Sequence, residues 1–374
     1  MSRIFWTCVL PESLISKYKL SFAASNFSFN LMSGSGFDRV YSMMPLYVGG
    51  EMDQEAFEDN RFELIYDKLR KRGGFWKKLA VLKEQWIIFR QIPRDAAVWF
   101  YNLNTLNAFL FILLKLFKPS VQLNVIVLDF TPVMSGWGLN RIYLRFINMA
   151  HGRICLANSP LFKSYNSAIL PGVIPANHEG IPPIKDPEKD FLLSGVLSEE
   201  IAQLSLVLKT FSQLPECDLY ITGNKGDENL LKEYSEKYSN IHWCGQLAFP
   251  RYMELLHKIT FQLSTRDPKA PENQCNFPSK IIEALLHNRV VVSTIHYPQL
   301  NGIQYIEVES NAEAFLQGVQ TILRMADDEL LTYANQGELV SQLFDVHHWY
   351  KIMNDIERLS LIHISEPTRH AQIS

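Results

Sequence analysis

The sequence predicts an α/β chain of two domains, each a parallel sheet covered by helices, and three observations lead there. β-Branched and aromatic runs of strand length alternate with helical stretches along most of the chain. A proline-rich break at residues 171–187 holds five of the eighteen prolines and has neither a helical nor an alternating pattern, which marks an extended linker. The 374 residues supply enough chain for one core on each side of that break.

Taken in order, residues 1–10 read as the first strand, because the apolar run is too short for a secretory signal and lacks a small-residue cleavage site. Ser33, Gly34, Ser35 and Gly36 form a turn without phosphate-binding spacing. Strand 97–101, helix 106–116, strand 124–129, helix 142–149 and strand 153–157 follow. After the break come strand 191–194, helix 201–213, strand 219–222 and a helix opening near Asn229. Parallel strands need connections of helix length, and the alternation therefore suggests parallel sheets. The domains are read as 1–170 and 188–345, joined by the linker, with a last helix at 346–358. Residues 359–374 look like the translation of a sequencing adapter and are given no fold, so His363 and His370 belong to no site.

The formal net charge of −3 argues against a general nucleic-acid binder. Five scattered cysteines have no paired metal-ligand spacing and suit a reducing cytoplasm. The most apolar stretch, 108–117, is interrupted by Lys115 and stops short of the ~20 residues a spanning helix needs.

Residues 276–286, Asn-Phe-Pro-Ser-Lys-Ile-Ile-Glu-Ala-Leu-Leu, carry the strongest chemistry. Pro278 suits a first helical turn, Ser279 can accept from a free amide, and Ile281, Ile282, Leu285 and Leu286 form a buried stripe. The helix start attracts anions, Lys280 adds a full charge, and Glu283 one turn on can accept bonds from sugar hydroxyls. A capped amphipathic helix with solvated Lys280 and Glu283 is the plainer alternative.

That motif stands at the end of an ordered series: Phe-Leu-Leu-Ser-Gly at 191–195, Asp-Leu-Tyr-Ile-Thr-Gly at 218–223, Ile-His-Trp-Cys-Gly at 241–245, and a helix and strand over 252–263. In this order and spacing, residues 191–309 resemble the donor-binding half of retaining GT-B glycosyltransferases, family 4 or group 1, in the subset bearing Phe-Pro-Ser-Lys. The resemblance implies two Rossmann-like domains facing a central cleft, the first holding the acceptor and the second a nucleotide diphosphate-sugar. It implies no metal and no cofactor beyond the donor substrate, and a last helix that crosses back onto the first domain. It places Gly195, Gly223, Asn224, Lys225, Gly245, Gln246, Arg266, Phe277, Pro278, Ser279, Lys280 and Glu283 around the donor. Lys280, Glu283 and Asp129 are the residues expected to carry catalysis.

Two departures stand out. The family's usual first glutamate falls on Cys275, and a thiol does not replace a carboxylate as acceptor. Val196 and Ile201 occupy positions where many members neutralise the diphosphate with Arg and Lys. Lys280, Arg266 and Lys225 are the replacement cations, and Arg266 reads equally as a surface partner of Asp267 or Glu272. Asp129 either faces the crevice from a strand's carboxyl end or starts an Asx turn; Asn102 and Asn104 occupy a comparable loop.

Residues 68–94 combine Lys68, Arg70, Lys71, Arg72, Lys77 and Lys78 with a stripe of Phe75, Leu79, Leu82, Trp86 and Phe89. Either the stripe is a core face with a solvated rim, or the tract meets an anionic membrane. The expectation is a cytoplasmic glycosyltransferase, peripheral on the inner membrane face, with a saccharide or lipid-linked acceptor of cell-surface polysaccharide synthesis and no nucleic acid partner. A sugar-nucleotide epimerase and a non-catalytic subunit of the same fold are the alternatives.

Overall fold

The computed structural model describes residues 1–11, 14, 22–46, 57, 59–130, 138–178 and 180–365, with backbone alone for 22–24 and 361–365. The chain divides into two compact units, one of residues 1–177 with 344–374 and one of residues 178–343.

In the first unit, seven parallel strands lie in the order β3-β2-β1-β4-β5-β6-β7. They are β1 (Arg3–Thr7), β2 (Arg39–Met43), β3 (Phe62–Ile65), β4 (Ala97–Tyr101), β5 (Gln122–Val127), β6 (Gly152–Cys155) and β7 (Ser167–Ile169). The described helices between them are α1 (Phe22–Met32), α2 (Gly74–Gln91), α3 (Ala108–Phe117) and α4 (Leu139–Met149). Chain progression reverses between β1 and β4. Right-handed crossovers therefore put α2, α3 and α4 on one face of the sheet and α1 on the other. The central strands read as unbroken apolar runs because both faces are covered: Phe5, Trp6, Trp99 and Phe100 have no exposed surface.

A helix at Val346–Ser365 packs on α1 and β6 and so completes this unit from the far end of the chain. Glu357 takes the Arg3 guanidinium at 2.7 and 2.8 Å and the Trp99 Nε1 at 2.7 Å. The turn at 33–36 serves this packing. A Cβ on Gly34 or Gly36 would stand 2.7 or 2.2 Å from the Tyr350 ring, whose hydroxyl donates to the Leu31 carbonyl. The helix also runs past Arg358, and the Ser360 hydroxyl accepts from Asn166 Nδ2 at 2.8 Å. Residues 359–365 thus have a helical fold that the sequence reading denied them, while 366–374 lie outside the described residues.

The second unit has six parallel strands in the order β10-β9-β8-β11-β12-β13. These are β8 (Asp190–Val196), β9 (Asp218–Asn224), β10 (Ile241–Trp243), β11 (Phe261–Ser264), β12 (Val290–Ser293) and β13 (Ile306–Glu307). Their helices are α5 (Glu199–Ala202), α6 (Leu204–Phe211), α7 (Glu228–Lys237), α8 (Phe249–Lys258), α9 (Ser279–Leu286), α10 (Ala312–Arg324), α11 (Asp327–Tyr333) and α12 (Gly337–Phe344). The single helix expected over 201–213 is two, because Gln203 takes a left-handed backbone, φ 44°, between α5 and α6. Phe191 stacks on Phe261 at 4.6 Å and meets Phe211 edge-on, filling the core beneath the sheet. No helix among the described residues is long and apolar enough to cross a membrane.

Two outcomes are expected. Glu357→Ala strands the Arg3 guanidinium and the Trp99 donor inside the first unit, so denaturant melts should lose about 3–5 kcal/mol, and Glu357→Gln less. His151 Nδ1 accepts from the Leu123 amide at 2.8 Å, and burial, helped by Lys115, pushes its pKa from 6.5 down to about 4. The folded state then binds fewer protons than the unfolded chain. Its stability contribution is complete above pH 6.5 and lost as pH falls toward 4. A pH series of melts on wild type and His151→Gln should show a flatter profile for the variant.

Candidate functional site

The second sheet reverses its strand progression between β8 and β11, the place where open parallel sheets hold ligands beyond their carboxyl ends. β8 ends there in Gly195 and Val196, paired with Gly223 and Asn224 of β9. The two glycines touch: Gly223 has φ 153°, and a Cβ on it would lie 1.9 Å from the Gly195 carbonyl oxygen. Gly245 closes the same corner, its carbonyl accepting from the Gly223 amide at 3.1 Å and the Thr222 hydroxyl at 2.7 Å. Gly195, Gly223, Asn224 and Gly245 are therefore brought together. Lys225 and Gln246 lie exposed on the adjoining loops.

The helix start differs in detail from the sequence expectation. Pro278 is the N-cap residue, with ψ 115°, and α9 begins at Ser279 without any side-chain cap. Proline fixes an extended entry and takes the capping place, which leaves Ser279 inside the first turn and exposed. The first turn of α9 thus keeps amides that no side chain caps.

One turn on, Glu283 Oε2 accepts from Lys280 Nζ and from the Tyr252 hydroxyl, each at 2.7 Å. The Lys280 ammonium also lies 3.9 Å from the centre of the Tyr252 ring. Burial, then the Glu283 charge, raises the Tyr252 pKa, so the phenol stays a donor. Ser194 of β8 faces the same hydroxyl, which sets the cluster beside the reversal point. Sequence reasoning missed Tyr252. It shares the buried side of α8 with Leu256, and a buried tyrosine hydroxyl there requires a partner, which is the available signal.

Beyond β11, the Arg266 amide donates to Thr294 Oγ1 at 2.7 Å and its Nη1 to Asn273 Oδ1 at 3.0 Å. Asn273 is thus a side-chain partner of Arg266 that the sequence reading did not consider. Burial raises the pKa of Tyr297, with the Arg266 charge opposing it in part, and Phe277 meets that ring edge-on at 5.0 Å. Phe277 and Cys275 are buried packing residues. In the first unit, β5 stops at Val127, and Asp129 lies exposed two residues past it; burial, with the Asp129 charge adding to it, holds the Tyr101 pKa well above its usual value. Strand pairing ends early because the Leu128 amide goes to Asn102 Oδ1 at 2.8 Å. Asn102 and Asn104 are spent on such loop bonds. Thr131 and Pro132 lie outside the described residues. No cluster of potential metal ligands occurs among the described residues.

No protein-family model matches the sequence, and no curated protein matches it. Solved structures match its fold. The trehalose-6-phosphate synthase OtsA superposes with TM-score 0.66 at 11% identity, covering 95% of this chain and 99% of that one. HepE from Anabaena, solved in complex with UDP-glucose, gives 0.61 at 14% identity over 96% and 99%. An α,α-trehalose 6-phosphate synthase from Burkholderia multivorans gives 0.64 at 9% identity over 98% and 100%. These neighbours are GT-B glycosyltransferases, and the α/β fold with its two parallel sheets is theirs.

The glycine corner makes a stability prediction. Gly223→Ala places a methyl group against a backbone carbonyl in a conformation that L residues avoid, so it should cost about 1–3 kcal/mol or more in denaturant melts. Gly180→Ala, where nothing lies within 4 Å of the added carbon, should stay within about 0.5 kcal/mol of wild type.

Proposed function

We propose that the protein is a glycosyltransferase that moves a sugar, with retention at the anomeric carbon, from a nucleotide diphosphate-sugar to a saccharide or lipid-linked acceptor of cell-surface polysaccharide. The observation that carries this reading is the Tyr252–Glu283–Lys280 cluster on an uncapped helix start, beside the reversal point of the second sheet. In this reading the second unit binds the donor and the first the acceptor, in the cytoplasm at the inner membrane face.

Each residue has a task that its geometry suits. The first amides of α9 and the Lys280 ammonium meet the diphosphate and stabilise the charge that develops on it as the glycosidic bond breaks. Glu283 takes ribose hydroxyls, held in place by Tyr252 and Lys280. The close contact of Gly195 and Gly223 clears side chains from the corner, so backbone can approach the phosphates, with Asn224, Lys225 and Gln246 nearest the base. Arg266 supplies a second cation beyond β11, and Asp129 binds acceptor hydroxyls. HepE, solved with UDP and with UDP-glucose, supports a uridine nucleotide as the first donor to test.

One observation favours a second reading, a non-catalytic subunit: Cys275, buried at 2% exposure, stands where a carboxylate would hold the sugar. Nucleotide binding separates the two. Calorimetry with UDP and GDP should find binding, with Glu283→Gln and Lys280→Ala each weaker by about 1–3 kcal/mol and Tyr252→Phe by about 0.5–1.5 kcal/mol. Wild-type affinity in all three folded variants would remove the site. Because the charge is met by a helix start and side chains, transfer followed by nucleotide release should persist in EDTA; abolition by EDTA with recovery on adding Mg²⁺ contradicts the charge assignment.

A further inference from the structure

We propose that the helical layer α2–α3–α4 of the first unit is a docking surface for an anionic lipid membrane. A helix lying on a sheet normally turns its apolar stripe inward. α2 buries Ala80, Val81, Glu84, Gln85 and Ile88 instead, and its stripe of Phe75, Leu79, Leu82 and Trp86 faces outward. Phe75 is 71% exposed, and the surface continues onto α3, where Leu116 and Phe117 are 67% and 61% exposed. Leu139, Ile142 and Met149 on α4 are exposed as well. Exposed apolar surface over three helices is more than a soluble face carries without a partner.

Charge selects the partner. The three helices contain one carboxylate between them, Glu84, and it is buried against Arg70 with a 2.5 Å contact. Their cations are Lys77, Lys78, Lys83 and Arg90 on α2, Lys115 on α3, and Arg141 and Arg145 on α4. Of these, Lys83 is held by Asp67 and Lys77 by the Leu46 carbonyl, whereas Lys78, Arg90, Arg141 and Arg145 are exposed. The chain as a whole is acidic, so this asymmetry is local.

Where α2 and α3 end, Trp86, Phe89, Arg90, Arg94, Phe117 and Lys118 line a groove that sets aromatic rings beside cations. Lys118 Nζ lies 4.5 Å from the Phe89 ring centre and caps α2 through the Phe89 and Ile92 carbonyls. At the other end of α2, the Arg72 guanidinium stands 5.5 Å over Trp76. Aromatic side chains interleaved with cations suit the headgroup region of an anionic bilayer. A second copy of this chain is a poor occupant, because a self-complementary contact would set positive charge on positive charge. α3 and α4 are too short to span a bilayer, and none of the three helices is long and apolar enough to do so, so the layer would lie on a membrane.

The inference deepens the inner-face location given in the proposed function, and the test keeps it apart from the transfer chemistry. Purified protein is co-sedimented with phosphatidylcholine vesicles and with phosphatidylcholine–phosphatidylglycerol vesicles at low and high salt. Wild type should bind the anionic vesicles, weaken with salt and bind neutral ones poorly. Lys78→Gln with Arg90→Gln and Arg94→Gln should lower partitioning about a hundredfold, near fivefold per cation. Phe75→Ser with Leu79→Ser, Leu116→Ser and Phe117→Ser should abolish it. Circular dichroism and UDP affinity should be unchanged in both variants, whose substituted side chains are exposed. No binding of wild type to anionic vesicles at low salt, equal binding by either variant, or sedimentation velocity showing that these residues instead join two copies overturns the proposal.

Discussion

Every part of the candidate donor site depends on β8 lying between β9 and β11. That placement sends the chain left from β8 through β9 to β10 and right from β11 to β12, which opens a gap above the carboxyl ends where no crossover passes. It also brings Ser194 and Gly195, the glycine corner of β9 and the loop holding Arg266 to one edge. The register is enforced below that edge by Phe191 of β8 stacked on Phe261 of β11, with Phe211 of α6 edge-on to Phe191, because a slip of either strand by one residue would turn its ring to the opposite face.

Local pattern made much of this legible. β4 occupies residues 97–101 as its run of apolar residues requires, and α9 begins within one residue of where proline and serine point. What failed was whatever depends on distant partners. The α2 stripe has helical spacing, and spacing alone does not say which side of a helix meets the sheet; Glu84 and Arg70 settle it by needing each other in the interior. Tyr252 joins the site through a contact thirty-one residues away, and Glu357 joins the core of the first unit through one of 354, separations that a local pattern does not span. Asp129 illustrates the same limit, since Asn102 decides where β5 stops pairing.

The two most enclosed ion pairs described in the first unit, Arg70–Glu84 and Arg3–Glu357, differ in what they do. Arg70 and Glu84 are almost wholly enclosed, burial raises the Glu84 pKa against the pull of Arg70, and the Met44 carbonyl occupies a further guanidinium donor. Such a pair fixes the side on which α2 lies more than it adds to stability. It also withdraws one cation from the basic tract, so the surface charge there is smaller than a count along the sequence suggests.

The pairing of Arg3 with Glu357 bears on the order in which the protein forms during synthesis. The second unit is one unbroken stretch of chain and can close on itself as soon as residue 343 has left the ribosome. The first unit emerges earlier, yet its sheet waits with one face lacking the Val346–Ser365 helix until that helix has been made. The half of the protein made first is the half that finishes last, and in the interval its apolar face is open to chaperones.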